Sequence, residues 1–167
     1  MSEREFVAGS KADFDRLYQE TYQRIFRTLV ILTGSRAAAE DCTQEAFLKA
    51  FQAWPAWKGD APPEAWLHRI AINTALSHRR RQKLREVGEV LRRLGRPVEA
   101  DPTEPDLGPD MVRELQGLPP KLAVTIVLRH LHGYTNREIA TILRIPESTV
   151  ASRLFEAKKI LRARLDS

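Results

Sequence analysis

Four residues of one predicted helix share a face because they recur at i, i+3, i+4 and i+7: Asp41, Gln44, Glu45 and Leu48. Two carboxylates and an amide beside a leucine suit contact with a basic helical partner, since the carboxylates set its orientation and the leucine adds apolar area. Phe47 and Phe51, or Cys42, Ala46 and Ala50, would supply the buried side of this helix. A solvated helix face is the alternative interpretation of the same polar residues.

A second polar stripe follows helical spacing further along the chain. It consists of Arg69, Asn73, Ser77 and Arg80, with Arg79 and Arg81 flanking its end. The stripe mixes cations with side chains that bond to phosphates or base edges, so it predicts a nucleic-acid surface. An exposed helix rim with no ligand is the alternative.

The loop before that helix contains Trp57, Lys58 and Gly59. An exposed aromatic ring beside a cation could stack on an unpaired base. Packing of Trp57 in the protein core is the alternative, since tryptophan usually buries most of its area.

A helix-turn-helix unit is predicted near the C-terminus. Thr135 and Glu138 have the spacing of a capping box that opens a short helix, and a three-residue turn ending at Pro146 precedes a longer helix. The N-terminal residues of the second helix of such a unit enter the major groove; here they are Glu147, Ser148, Thr149, Ser152 and Arg153. Arg137, at the start of the first helix, could meet a phosphate. An ordinary helical hairpin remains the alternative.

Catalytic chemistry has little support in the sequence. Asp41 with Glu45, or Asp60 with Glu64, could in principle ligate a metal for nuclease chemistry. His130 and His132 are too few for a site, and no catalytic triad, glycine-rich or zinc signature is present in the sequence. The expectation is therefore a protein that is not an enzyme and that has no cofactor and no metal.

Composition sets the class of protein. The 167 residues carry a formal charge of +5, and residues 111–167 hold twice as many basic as acidic side chains, so a polyanion is a plausible partner. No apolar stretch is long enough for a membrane span, and the first ten residues do not resemble a signal peptide. The single cysteine excludes a disulfide framework within the chain. A cytoplasmic protein without membrane insertion is expected.

The elements that must position these residues are all helices. Apolar spacings of three and four predict an N-terminal helical bundle, whose first helix ends at Gly34 and whose second begins after Ser35. Acidic residues and three prolines near residues 98–110 predict a flexible linker, which we place at 84–109. The predicted fold is all-α, with two small helical domains at 10–83 and 110–167.

Taken together, the motifs resemble those of sigma-70 family factors of the extracytoplasmic-function group. The segment AEDCTQEAFLKAF resembles the polymerase-docking helix of the family, with its Asp-x-x-Gln-Glu-x-Phe core at Asp41, Gln44, Glu45 and Phe47. The segments PPEAWLHRIAINTALSHRRR and LPPKLAVTIVLRHLHGYTNREIATILRIPESTVASRLFEAKKILR resemble the helix for the minus-ten element and the domain for the minus-thirty-five element. In this order they span about residues 12–164.

The resemblance implies a division of work between the two domains. The docking helix would contact the clamp helices of the largest subunit of the RNA polymerase core. The third helix and the Trp57–Gly59 loop would hold the melted non-template strand and capture a flipped base. The C-terminal domain would read duplex promoter DNA upstream, and the acidic linker would thread toward the RNA exit path. An anti-sigma partner is implied as well.

Three positions of the helix-turn-helix depart from the family pattern. Arg144 stands where glycine is usual in the turn, so a positive φ there would strain the backbone. Ser148 and Ala151 stand where glycine and lysine are frequent, so upstream affinity would depend more on Arg153, Lys158 and Lys159. The alternative function is a helix-turn-helix regulator that binds DNA alone and never joins polymerase.

Overall fold

The computed structural model describes residues 5–90 and 109–167. The chain folds there into seven α-helices and contains no strand in either of those two ranges. The predicted all-α class is confirmed.

Three long helices form an N-terminal bundle in which each contacts the other two. They are α1 (Lys11–Thr33), α2 (Arg36–Ala53) and α3 (Pro63–Val90), with a 3₁₀ turn at Trp54–Ala56 after α2. Large aliphatic side chains of α1 such as Leu29 pack in one core with small residues of α2 and α3 such as Ala46 and Ala71. Small residues allow two helix backbones to approach closely, which explains the alanine-rich character of α2.

The predicted helix boundaries at the first turn are confirmed. Gly34 ends α1 in the left-handed conformation, with φ of 71°, and its N–H donates to the carbonyl of Val30. Ser35 caps α2, because its hydroxyl accepts a hydrogen bond of 3.3 Å from the N–H of Ala38. The third helix begins at Pro63, where proline needs no hydrogen-bond partner.

Four helices and a π-helical turn form the C-terminal domain. They are α4 (Pro109–Gln116), α5 (Pro120–Ile126), the π turn Val127–Leu131, α6 (Asn136–Leu143) and α7 (Glu147–Leu165). The helix α5 is buried from Leu122 to its end and packs against α7, which in turn packs against α6. A short capped helix, a turn and a longer helix are therefore present as predicted.

Two features differ from the sequence prediction. The segment expected to be one helix, from Lys121 to Leu131, changes to π geometry after Ile126, so that the N–H of His132 bonds to the carbonyl of Val127. The helix α3 continues to Val90, so the first seven residues of the predicted linker are helical. Residues 91–108 of that linker lie outside the described residues.

The two domains pack directly against each other. The helix α1 contacts α4 and α5, and α3 contacts α6. Buried residues of both domains belong to one continuous hydrophobic cluster.

Candidate nucleic-acid interface and docking surface

The predicted docking face of α2 lies at the surface. Asp41 and Gln44 are exposed, and Leu48 retains 57% of its accessible area. Glu45 is partly exposed and forms an ion pair of 2.8 Å with Lys49, one turn away. The face therefore offers carboxylates and an apolar side chain to a partner, as its spacing predicts.

The charges of this face act on neighbouring ionisable groups. A hydrogen bond from Lys49 lowers the pKa of Glu45, and the charges of Lys49, Arg81 and His78 act in the same direction, so the carboxylate is ionised. Burial raises the pKa of the Cys42 thiol to about 11, and the nearby carboxylates add to the effect. Cys42 therefore packs as a protonated, unreactive side chain.

Phe47, which the resemblance includes in the docking pattern and which helical spacing offers for the buried side of α2, is only 4% exposed. Its ring packs against Tyr18 at 4.7 Å and against Tyr22 at 5.8 Å between centroids. Phe47 thus fixes α2 to α1 and positions the docking face without lying on the surface.

Of the two sets offered for the buried side of α2, the first is buried throughout: Cys42, Ala46 and Ala50. In the second set Phe51 is 48% exposed, so the alternative that places it in the core is wrong. Its ring contacts Phe14 edge-on at 5.2 Å, and Tyr18 is 42% exposed on the adjacent helix. With Leu48, these side chains extend the docking face by an apolar patch that the sequence interpretation missed. The i, i+3 spacing of Leu48 and Phe51 is the signal that could have revealed it.

The tryptophan of the loop before α3 packs against a neighbouring ring. Trp57 is half-buried and stacks on Trp54 with ring centroids 5.2 Å apart, and its Nε1–H donates to the carbonyl of Ala61. Lys58 and Gly59 are exposed, and Gly59 has a φ of 72°, which glycine adopts without strain. The loop borders a cleft of about 1200 Å³ between itself and the segment before α1.

The polar stripe of α3 is exposed at one end and covered at the other. Asn73, Ser77 and Arg80 are exposed. Arg69 is half-buried, and its Nη2 donates to the carbonyl of Thr141 in α6 at 3.4 Å. The stripe is therefore present on one face of α3, but the C-terminal domain contacts Arg69 at its N-terminal end.

Arg79, which flanks this stripe, has an internal partner. Its Nη1 donates to the carbonyl of Leu32 at 3.0 Å, near the end of α1. This bond satisfies one of the carbonyls that a helix C-terminus leaves unpaired. Arg80 and Arg81 remain exposed beside it.

The first half of the helix-turn-helix is capped as predicted. The hydroxyl of Thr135 accepts a hydrogen bond of 3.2 Å from the N–H of Glu138, and Arg137 is exposed at the start of α6. Arg144 follows α6 with φ of 54° and ψ of 48°, and it is the one residue other than glycine with positive φ within residues 5–90 and 109–167. The strain expected for a non-glycine residue in this turn is therefore present.

The N-terminal residues of α7 differ in their exposure. Glu147, Ser148 and Ser152 are exposed, whereas Thr149 and Arg153 are half-buried. Val150, Leu154 and Ala157 face the core, as their spacing predicts.

Phe155, which the sequence interpretation missed, is 73% exposed on the outer face of α7. It follows Ser152 and Ser148 at helical spacing. An exposed aromatic at this position can contact a thymine methyl group in the major groove. Helical spacing could have revealed this exposure, because it places Phe155 on the side of α7 away from the buried Val150 and Leu154.

The two surfaces predicted to bind DNA meet in one groove between the domains. Its volume is about 230 Å³, and its walls include Arg69 and Asn73 of α3 together with Arg144 and Arg153 of the helix-turn-helix. Ile72 and Ile142 contribute apolar walls to it. The structure thus brings residues of the two predicted DNA surfaces together.

Two of the four carboxylates considered for metal binding have cationic partners. Glu45 pairs with Lys49, and Glu64 pairs with Arg24 of α1 at 2.7 Å. Across the two described ranges, no three histidine, cysteine or acidic side chains come together in a way that could hold a metal ion. Within the same ranges, none of the helices is long and apolar enough to cross a membrane.

Comparison with known proteins finds relatives over nearly the whole chain. Residues 17–85 match the family described as Sigma-70 region 2, and residues 110–161 match the family described as Sigma-70, region 4. The chain is 30% identical over 177 residues to the RNA polymerase sigma-H factor of Pseudomonas aeruginosa, covering 92% of this chain and 86% of that protein. It is 32% identical over 154 residues to the ECF RNA polymerase sigma-E factor of Escherichia coli K12, covering 84% of this chain and 80% of that protein.

Solved structures share the fold. The sigma factor RpoE of Bartonella quintana, in complex with the anti-sigma factor NepR, matches with a TM-score of 0.77 at 24% identity, over 92% of this chain and 97% of that one. CnrH, in complex with the cytosolic domain of CnrY, matches with a TM-score of 0.70 at 23% identity, over 95% of this chain and 90% of that one.

Proposed function

The chain belongs to the sigma-70 family, in its extracytoplasmic-function group, and directs RNA polymerase to promoters; on that premise we propose which of its surfaces meets each partner. The domain limits proposed are those predicted from the sequence, at 10–83 and 110–167 with the linker at 84–109. The observation that carries the proposal is the exposed acidic and apolar face of α2 in the same chain as a helix-turn-helix.

The face of α2 docks on the clamp helices of the largest polymerase subunit. Asp41, Gln44 and Glu45 supply the polar contacts, and Leu48 supplies apolar area. Opposite charges at such an interface steer the encounter and fix its orientation. Phe51 enlarges the apolar part of this surface, and Phe47 holds the helix from inside the core.

The helix α3 and the loop before it hold the melted minus-ten region. Arg69, Asn73, Ser77 and Arg80 bind the non-template strand, with the cations on phosphates and Asn73 on a base edge. Lys58 and Gly59 border the cleft beside Trp57, which suits a base flipped out of the stack. Capturing this base assists DNA melting, since stacking and pocket contacts offset the cost of unpairing.

The helix-turn-helix reads the minus-thirty-five region as duplex DNA. Ser148, Ser152 and Phe155 face the major groove, and Arg137 and Arg153 bind phosphates. Glu147 and Thr149 lie at the same end of α7. Two weak DNA readers joined by a linker gain affinity through effective concentration once polymerase holds the protein.

A regulator that binds DNA without polymerase is the less supported function. It would require the helix-turn-helix alone and would leave the region 2 match at residues 17–85 without a role. In the preferred function the chain acts in the cytoplasm and catalyses no reaction itself, since polymerase makes the transcript. An anti-sigma factor is a further proposed partner, by similarity to the sigma factor solved in complex with the anti-sigma factor NepR.

Run-off transcription tests the proposed function. Purified polymerase core, this protein and fragments of its own genome should yield transcripts that start at defined promoters. Core alone should not yield them. The absence of any promoter-dependent transcript from the whole set of fragments would contradict the function.

A further inference from the structure

The cleft beside the Trp57–Gly59 loop has a second wall, which the segment before α1 supplies. Residues 5–8 of that segment line the cleft together with residues of the first half of α1. The volume of about 1200 Å³ exceeds the roughly 300–1,000 Å³ that encloses a drug-sized ligand, so a whole nucleotide fits. The match to Sigma-70 region 2 begins at residue 17, so this segment lies before the region that the chain shares with the family.

Hydrogen bonds fix the segment before α1 in place. The N–H of Ser10 bonds to the carbonyl of Val7 at 3.1 Å, across a turn in which Gly9 has a φ of 78°. The N–H of Val7 donates to Oδ2 of Asp13 in α1 at 2.8 Å. The carbonyl of Ser10 accepts a bond of 2.9 Å from Nε1–H of Trp54. The segment is therefore attached both to the first turn of α1 and to the turn that follows α2.

The ring of Phe6 is held by a cation. The guanidinium carbon of Arg16 lies 3.9 Å from the centroid of this ring, so the cation covers one of its faces. Nη2 of Arg16 lies 3.7 Å from Oδ1 of Asp13, the carboxylate that also accepts the N–H of Val7. Asp13 thus positions both the backbone of the segment and the cation on the ring. Phe6 is half-buried and lines the cleft, so part of its ring remains accessible there.

Trp57 has less of its ring to offer to a base. It stacks on Trp54 with ring centroids 5.2 Å apart and planes 13° from parallel, so one face of the indole is covered. Its Nε1–H donates to the carbonyl of Ala61 at 3.2 Å, which fixes the orientation of the ring. Among the described residues that line the cleft, Phe6 is the other aromatic. A nucleobase stacks on an aromatic ring whatever its sequence identity, so Phe6 can serve as the platform.

The charges of the cleft favour a base over a phosphate. Its lining contains more carboxylates than cations, namely Glu5, Glu20, Asp60 and Glu64 against Arg16 and Lys58. Like charges repel, so the carboxylates disfavour a phosphate inside the cleft but not an uncharged base. Lys58 is exposed in the loop, where it can bind a phosphate that stays outside. The cleft therefore suits a base that enters while its backbone remains in solvent.

We propose that residues 5–10 form the second wall of the cleft that takes the flipped base, and that Phe6, covered on one face by Arg16, is the platform on which this base stacks. The inference rests on the proposed function, which places the flipped base beside Trp57. It adds a base-contacting residue that lies before the region shared with the family.

The test uses the full chain in complex with polymerase core and a promoter found by run-off transcription. The DNA is a fork, with duplex upstream and a single non-template strand across the minus-ten region. Each position of the single strand is replaced in turn by an abasic site, and fluorescence anisotropy measures the affinity of the complex for each fork. Wild type and Phe6→Ala are compared at every position.

Phe6→Ala should weaken binding of the unmodified fork about tenfold, the size expected when one base loses its stacking on an aromatic ring. At one position the abasic site should cost the wild type about tenfold but cost Phe6→Ala little, because the variant has already lost the same contact. Phe6→Leu keeps apolar volume without a ring and should behave as Phe6→Ala does, whereas Phe6→Tyr should behave as the wild type. Leu165→Ala, which shortens an exposed side chain of the C-terminal domain, is the control and should show wild-type costs throughout.

Urea unfolding and the affinity for polymerase core check that each variant folds and docks. A folded Phe6→Ala that binds the fork as tightly as the wild type would overturn the inference. A variant that loses the same factor of affinity on every fork would also overturn it, since no single base would then depend on the ring. If Phe6→Ala does not fold, Phe6→Leu decides by the same comparison. Wild-type run-off with such a result rejects the stacking role alone, whereas absence of any wild-type run-off transcript rejects the proposed function and the inference with it.

Discussion

The exposed face of α2 and the polar stripe of α3 belong to the same three-helix bundle but differ in what covers them. Asp41, Gln44 and Leu48 are exposed, with their neighbour Glu45 paired within its own helix. Arg69, in contrast, bonds to the C-terminal domain. Under the proposed function, polymerase can therefore meet the face of α2 in this form, whereas the C-terminal domain engages the Arg69 end of the α3 stripe.

The largest effect is expected from reversing a charge on the face of α2. Glu45→Arg should reduce promoter-dependent transcription about 100-fold, because it places a cation against a basic partner and breaks the pair with Lys49. Binding of the variant to polymerase core is measured by fluorescence anisotropy. Asp15→Arg, an exposed carboxylate of α1 paired with Lys11, is the charge-matched control. Equal losses in both variants would mean that net charge, and not this face, governs docking.

A smaller effect is expected at the outer face of α7. Phe155→Ala should weaken binding of the polymerase complex to upstream duplex DNA about tenfold, since an apolar contact with a base methyl group is lost. Leu165→Ala, also exposed on α7 but at its far end, should leave that affinity unchanged. A filter-binding assay compares the two, and equal affinities would remove Phe155 from the DNA surface.

Acid should open the domain contact while leaving the face of α2 unchanged. We call the arrangement in which the two domains pack together the closed form. Burial lowers the pKa of His132 to about 4 in this form, against 6.5 when the side chain is exposed. The closed form is therefore fully stable above pH 6.5 and loses stability as the pH falls from 6.5 toward 4. Between about pH 7.5 and about pH 5.8, the ratio of closed to open protein should fall about fivefold through His132 alone.

Small-angle scattering across this pH range measures the opening, and His132→Gln should flatten its pH dependence. His68, with a pKa of about 3, adds to the loss at the acidic end. A radius of gyration independent of pH in the wild-type chain would show that the two histidines do not hold the domains together.

The smallest effect concerns the strained turn of the helix-turn-helix. Arg144→Gly should raise the free energy of unfolding by about 0.5–1 kcal/mol, because relief of the left-handed strain at φ of 54° exceeds the entropy that glycine adds to the unfolded chain. Urea denaturation measures the change. Arg137→Gly, at a helical position in α6, should instead lower the stability.

The parts of the fold that depend on local chemistry could be predicted from the sequence. Ser35 and Thr135 mark helix starts because each hydroxyl satisfies an amide three residues away, and Gly34 marks an end because it adopts positive φ. The exposed positions of Asp41 and Gln44 follow from helical spacing in the same way.

The remaining features depend on packing between distant segments. Helical spacing does not reveal that Phe51 is exposed while Phe47 is buried, because this is decided by the aromatic side chains of α1. The contact between Thr28 and His132 joins residues that are 104 positions apart in the sequence. Such contacts appear only once the two domains are placed together.

The most direct test follows the separation of the domains during polymerase binding. Gln23→Cys on α1 and Leu165→Cys on α7 place two dyes at exposed sites, and the buried Cys42, with a pKa of about 11, should not react. Energy transfer should be high in the free chain, fall when polymerase core is added, and stay high with the added Glu45→Arg change. Transfer that is low in the free chain, or that core leaves unchanged, would contradict the account.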